Sequence, residues 1–400
     1  MRIENLRVEE RPDRRRIAAD VVWETAERDP QTLYFETPYP FAADLQPSAD
    51  TFLLASLPFA MWRGERRIFV DGSLCTRFQE GLQAIMLIYA QWFQRCLPLS
   101  IEPAGGYVPT RPRAARRTAS FLSGGVDGLA VLRSNRLTYP RDHAESVGDC
   151  ILLFGANDFE VTADGPAPDR LKAFHALEGR LQGLARAENF HLIPIYTNTR
   201  LLSGDYACWT SVGFGAANVA VAHALARRFS KVLFASDGNG VNPVPGASHP
   251  LLDQHFSTAA VHVQHEHVSF TRMDKLRLLA SWPAALELMQ PCHYVKVPPA
   301  GQINCGRCEK CIRTMLGLIA LVKLAEASAF PDDDVTPAMV QSIPVHNQLK
   351  AELLEQLIGP LGSAGRDDLV GAIRRRLRAF RTRQRYGRFK LQRVRRWLNR

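Results

Sequence analysis

The 400-residue chain lacks a long apolar run. Its most hydrophobic stretch, residues 315–330, is interrupted by Lys323 and Glu326 and falls short of the ~20 residues that span a bilayer. The opening segment, MRIENLRVEERPDRRR, contains no apolar core of the kind a secretory signal needs. These absences predict a cytoplasmic protein whose thiols stay reduced. Cysteine is scarce, with eight in all, and in that compartment they do not read as a disulfide framework. Acidic residues are missing from one region only. Residues 374–400 hold 13 Lys/Arg and no Asp/Glu, which leaves 37 basic and 40 acidic residues elsewhere. The net charge of +10 therefore belongs to a tail. Leu377, Phe380, Phe389, Leu391, Val394 and Trp397 interleave with its charges. It reads equally as a solvated or packed terminal helix and as an element that lies on RNA, DNA or an anionic membrane. No internal repeat is present.

A hydrophobic content of 46% is enough for a sizeable core. Residues 1–115 mix β-leaning stretches (IAADVVWE, TLYFETP, RIFVDG) with an amphipathic helix at 78–93. Residues 103–117, PAGGYVPTRPRAARR, read as a linker. Beyond it, short apolar runs at 118–122, 150–156, 190–197, 231–237 and 259–268 alternate with helical patterns at 169–188 and 215–229. That rhythm predicts an α/β fold with a doubly wound parallel sheet. The expected division is an N-terminal α+β extension (1–115), the sheet domain (116–290), a four-cysteine segment with a helix (291–330) and a helical region with the basic tail (331–400). Ligands of such sheets sit outside the carboxyl ends of the strands, which points to the loops at 123–128, 157–158, 197–200 and 236–253.

The first of these loops reads SFLSGGVDG. Gly124 and Gly125 permit a tight bend and remove Cβ atoms that would block a phosphate. Amide hydrogens at the following helix start form an anion site. Ser123 adds a hydroxyl, and Asp127 adds a carboxylate for magnesium or for orientation. Here the chain resembles the PP-loop ATP pyrophosphatases, whose motif is Ser-Gly-Gly-x-Asp-Ser. The match runs through Asp127 and departs at Gly128, where the family has serine. The backbone amide survives, but a hydroxyl contact to phosphate worth roughly 1.5–3 kcal/mol is lost.

Cys305, Cys308 and Cys311 follow a Cys-x-x-Cys-x-x-Cys spacing, and Cys292 lies thirteen residues before the first. Four thiolates close a tetrahedral shell around zinc. Thiolates also serve iron–sulfur clusters. A closed four-cysteine site is structural, with no open position for catalysis. Gly306 eases the turn, while Arg307 and Lys310 offset thiolate charge.

The combination of a PP-loop with a later four-cysteine site is similar to 7-cyano-7-deazaguanine synthase and its relatives, over about residues 118–315. TNTR (197–200), the long loop at 235–256 with Asp253, and RMDKLRLL (272–279) are looser matches. The resemblance implies an AMP- and pyrophosphate-forming enzyme that adenylates a carboxylate or amide oxygen of a small acid for attack by ammonia or an amine. ATP, Mg2+ and Zn2+ are the implied cofactors. Ser123, Gly124, Gly125, Val126, Asp127 and Gly128 would hold the β,γ-phosphates. Asp158, Asn198 and Arg200 would frame adenine and the α-phosphate, Lys275 and Arg272 would meet the transition-state charge, and Asp127 would be the catalytic carboxylate that holds magnesium or orients the phosphates. No segment reads as a glutaminase, so ammonia would come from solution or a partner, and enzymes of this class are often homodimers. A second class fits the same residues: a nucleotide- or RNA-binding zinc protein that has lost its chemistry with Gly128, or a relative that modifies nucleic acid.

Other features read as structural. His262, His265 and His267 read as surface or sheet-packed, because no partner stands at ligand spacing. Cys75, Cys96, Cys150 and Cys208 read as core residues, with Cys208 the one to test as a nucleophile. GFGAAN (213–218) reads as close helix packing.

Overall fold

The computed structural model describes residues 1–109, 117–156, 161–162, 165–236, 244–292 and 302–398, with side chains up to residue 384. Asp158 lies outside the described residues. The chain divides into two compact units: Met1–Ser123 with Val131–Ser269, and Gly124–Ala130 with Phe270–Arg400.

The first unit is built on a ten-stranded sheet. In chain order its strands are β1 (Arg2–Glu10), β2 (Arg14–Val22), β3 (Gln31–Pro38), β4 (Arg67–Val70), β5 (Ser100–Pro103), β6 (Thr118–Phe121), β7 (Val147–Phe154), β8 (His191–Thr197), β9 (Lys231–Ala235) and β10 (His262–Glu266). Their order across the sheet is β10-β9-β6-β7-β8-β3-β2-β1-β4-β5. β6 to β10 all run parallel. Winding proceeds β6, β7, β8 and then reverses, because β9 returns to the other side of β6. β6 is one of the two strands at that reversal, and Ser123 follows its carboxyl end.

The N-terminal region drawn from the sequence as a separate extension shares this sheet. β3 pairs antiparallel with β8 through Tyr196 with Glu36 and Thr197 with Phe35. Side chains secure the seam: Thr37 Oγ1 donates to Pro194 O at 2.9 Å, and Thr197 Oγ1 donates to Tyr34 O at 2.7 Å. The segment that reads as an inter-domain linker therefore joins two strands, β5 and β6, of one sheet.

The main helices are α1 (Ala49–Arg63), α2 (Thr76–Trp92), α3 (Val126–Thr138), α4 (Pro168–Glu188), α5 (Phe214–Ala224), α6 (Arg272–Ala280), α7 (Glu309–Ala320) and α8 (Asp367–Leu398). α1 is buried at every position from 49 to 62 except Asp50, as an all-round apolar helix must be. It packs with α5 in a core that also takes in Phe35, Phe52, Phe59, Phe78 and Tyr89. In the GFGAAN stretch, a Cβ on Gly215 would stand 2.2 Å from Ala247 O, so close packing sets this glycine. The second unit is helical: α6 and α7 are followed by short helices at Pro337–Ser342, Gln348–Glu355 and Ile358–Ser363, and α8 packs on these through Ile373, Leu377 and Phe380. Among the described residues no helix is long and apolar enough to cross a membrane.

Candidate anion site and metal centre

The loop at residues 123–128 is at the surface at Ser123 and closes inward from there. Gly124 takes φ +73°, a left-handed conformation that costs an L-residue with a Cβ roughly 1–2 kcal/mol. The first intrahelical bond after the bend runs from Leu129 N–H to Gly125 O at 3.1 Å. A helix start of this kind leaves its first amides without intrahelical acceptors.

Opposite this start, Asp127 is bound by two cations from α6. Arg272 donates to both its oxygens, at 3.0 and 2.8 Å, and Lys275 Nζ donates at 2.7 Å. A spacing of three residues puts both cations on one face of the helix. α6 begins in a reciprocal cap in which Thr271 Oγ1 accepts from Asp274 N–H and Asp274 accepts from Thr271 N–H, so the positions of Arg272 and Lys275 are fixed from the first turn. Burial would raise the Asp127 carboxyl, but Arg272 and Lys275 hold it well below the usual carboxylate range. Lys275 is 1% exposed. A third cation, Arg313 of α7, is buried, pairs with Glu309 at 3.0 Å, and lies within the electrostatic reach of Arg272 and Asp127. Glu309 in turn accepts from Lys350 at 2.5 Å. Four cations thus share two carboxylates beside a helix start, which makes the place attractive to an anion.

The metal centre follows in the same unit. Gln290 N–H donates to Gly124 O at 2.7 Å, tying the bend to the strand of chain that leads into Cys292. The sulfurs of Cys292, Cys305, Cys308 and Cys311 all lie within 4.8 Å of one another. Two pairs, Cys305 with Cys311 and Cys292 with Cys308, are 3.8 Å apart. A tetrahedron with metal–sulfur arms of ~2.3 Å has edges of about that length. A spread this tight suits one ion better than a multi-iron cluster, whose ligands must stand around several metal atoms. Cys308 N–H donates to Cys305 Sγ at 3.3 Å, and Cys311 N–H donates to Cys308 Sγ at 3.5 Å. Such amide–sulfur bonds stabilise thiolates. Gly306 takes φ +65°, and a Cβ there would meet Pro331 Cγ at 2.7 Å. Asn304, fully buried, accepts from Cys292 N–H and donates to Met289 O and Ala329 O at 2.9 Å each. Arg307 is paired with Asp332, so its charge is already partnered.

The remaining sequence-derived positions belong to the first unit. Asn198 accepts from Tyr34 N–H at 3.0 Å and donates to Thr32 O at 2.8 Å, extending the seam between β8 and β3. Arg200 donates to Ala156 O at 3.3 Å and faces the Trp209 ring. Cys208 is fully buried, and burial pushes its thiol up to about 12, which removes it as a nucleophile at neutral pH. His262 is exposed, whereas His265 Nδ1 meets the fully buried Asp253 at 2.7 Å. Asp253 also accepts from Ser248 Oγ and from His249 N–H. The pairing of His265 with Asp253 and the roles of Arg313 and Asn304 were not read from the sequence. Only the closeness of Arg313 and Asn304 to the cysteines could have signalled them.

No family model, curated protein or solved structure matches this chain. Fold and site therefore define it as an α/β protein with a large, mostly parallel central sheet and a four-cysteine cluster able to hold a metal such as zinc.

Proposed function

We propose that the chain is an ATP-dependent enzyme that forms AMP and pyrophosphate, in the manner of the PP-loop proteins its sequence resembles. The observation that carries this reading is the bend at Gly124, followed by a helix start whose Asp127 is clasped by Lys275 and Arg272. A leaving diphosphate needs amide donors and preorganised positive charge at one place, and this group of residues has both types. Magnesium would arrive on the nucleotide, since Mg2+ keeps several waters and binds by one or two carboxylates plus phosphate oxygens. Phosphate oxygens entering beside Asp127 compete for Lys275 and Arg272, and each cation drawn to phosphate frees a carboxylate oxygen for the incoming magnesium.

In this reading a carboxylate or amide oxygen of a small acid attacks the α-phosphorus, and the bond to the β,γ-diphosphate breaks. Ammonia or an amine then attacks the activated carbon and AMP leaves. Catalysis is mainly positioning and charge neutralisation. Zinc on the four cysteines does no chemistry. Bound there it would fix the start of α7, and through it Arg313, while Gln290 fixes Gly124. The test is product analysis with MgATP, ammonium and a panel of small carboxylic acids. The expected result is AMP and pyrophosphate in equal amounts with at least one acid. ADP and phosphate as products, or MgATP that binds yet never yields AMP with any acid, would overturn the enzyme reading.

A further inference from the structure

A cavity of about 260 Å3 in the first unit is lined by Asp50, Cys75, His223, Arg227 and Thr258 among others. Its volume falls below the roughly 300–1,000 Å3 typical of ligand pockets, which suits a small metabolite.

One acceptor in its lining, Asp50, has room for further donors. Asp50 stands in the first turn of α1 and accepts one bond, from Cys75 N–H at 2.9 Å. Burial pushes its carboxyl up to about 6, and no neighbouring cation acts against that push. His223 is 4% exposed, and its Nε2 lies 2.8 Å from Phe256 O. A carbonyl only accepts, so Nε2 carries the proton and Nδ1 is a bare lone pair. That Nδ1 has no partner among the described residues and is sealed from solvent, so it does not open into the cavity. Burial lowers the imidazole to about 4, so it stays neutral at pH 7. Arg227 adds one exposed cation. Its neighbour Arg228 is held by Asp44 and Asp149 at 2.8 Å each, whereas no carboxylate pairs with Arg227 among the described residues.

A metal does not fit, because among the described residues only the four cysteines converge closely enough to share an ion. What fits is a ligand with several N–H donors on one charged nitrogen and an anion at its other end. We propose that this cavity binds a small zwitterion of the free α-amino acid class, its ammonium donating to Asp50 and its carboxylate meeting Arg227. The site is separate from the residues assigned to ATP.

The experiment is a thermal-shift screen of the free L-amino acids at millimolar concentration, without ATP. Calorimetry then compares the strongest hit with its α-keto acid and its decarboxylated amine. One amino acid should bind with a Kd below about 1 mM. The keto acid should not bind, and the amine should bind about tenfold more weakly. Asp50→Asn should weaken binding at least ~tenfold, and the exposed Arg227→Ala about tenfold with an unchanged melting temperature of the free protein. No shift with any amino acid, equal binding of the keto acid, or affinity unchanged in Arg227→Ala would overturn the proposal. Because ATP is absent throughout, failure here leaves the ATP reading standing, and the reverse also holds.

Discussion

Lys275 brings a buried ammonium to Asp127 at 2.7 Å, and the second clasp comes from Arg272. Replacing Asp127 by Asn removes this carboxylate from that charge. The expected cost is about 2 kcal/mol in urea denaturation at pH 7, below the ~3–5 of a fully buried pair because the Asp127 side chain is 28% exposed. The pH dependence has a definite sign. A carboxyl held below its usual range stabilises above the unfolded value of ~3.9 and loses that contribution as pH falls through its folded value. The gap between Asp127→Asn and the parent should therefore be constant at neutral pH and close only in strong acid. A gap that closes near pH 6 would refute the pairing. At Gly124, substitution by Ala places a Cβ at φ +73° and should cost ~1–2 kcal/mol while weakening MgATP binding. Stability loss with unchanged affinity would separate the bend from the nucleotide.

At the scale of elements, a metal on the four cysteines would organise α7. Cys308 caps that helix and Cys311 sits in its first turn. One zinc per chain is expected by elemental analysis, and Cys308→Ser should lose it. Because the ligated segment is also tied to Gly124 through Gln290, a strong chelator should lower the melting temperature and weaken MgATP binding together. Metal absent from protein purified under reducing conditions would contradict the assignment.

The parallel strands β6 to β10 were legible in the sequence to within a few residues, because buried strands are short apolar runs between turn residues. α1 was not legible. A helix apolar on every side has no periodic face to detect, and Pro58 inside it reads as a breaker. β1 was missed for the opposite reason: its charges, Arg2 with Glu4 and Arg7 with Glu9 and Asp20, pair along and across strands and hide the strand pattern. At the site, Asp127, Lys275 and Arg272 were legible as types and the cysteines as spacing. What Asn198 does was not, since the same amide chemistry that could hold a nucleotide instead bonds the β3 backbone.

At the scale of the whole molecule, composition marked residues 103–117 as a domain boundary, yet the chain on either side enters the same sheet. Composition cannot distinguish a long connection within a sheet from a linker between domains. The basic tail also needs a finer cut than its charge suggests. Leu377 and Phe380 are buried, and Arg376 donates to Ile343 O at 2.6 Å, so the start of the basic segment belongs to the packed helices. Removal of residues 385–400 deletes seven Lys/Arg and spares that packing. If the tail binds RNA, the full chain should show steeply salt-dependent affinity, and this truncation should flatten the slope without changing the melting temperature. An unchanged slope would return the tail to a solvated helix.

On the proposed reading, amides after the Gly124 bend, with Lys275 and Arg272, grip the diphosphate of a nucleotide. Calorimetric titration of the zinc-loaded protein with magnesium pyrophosphate tests it most directly, because it requires neither the acceptor acid nor turnover. Saturable binding that weakens at least ~tenfold in Arg272→Ala is the expected result. No binding at millimolar pyrophosphate, or binding indifferent to that substitution, would contradict the account.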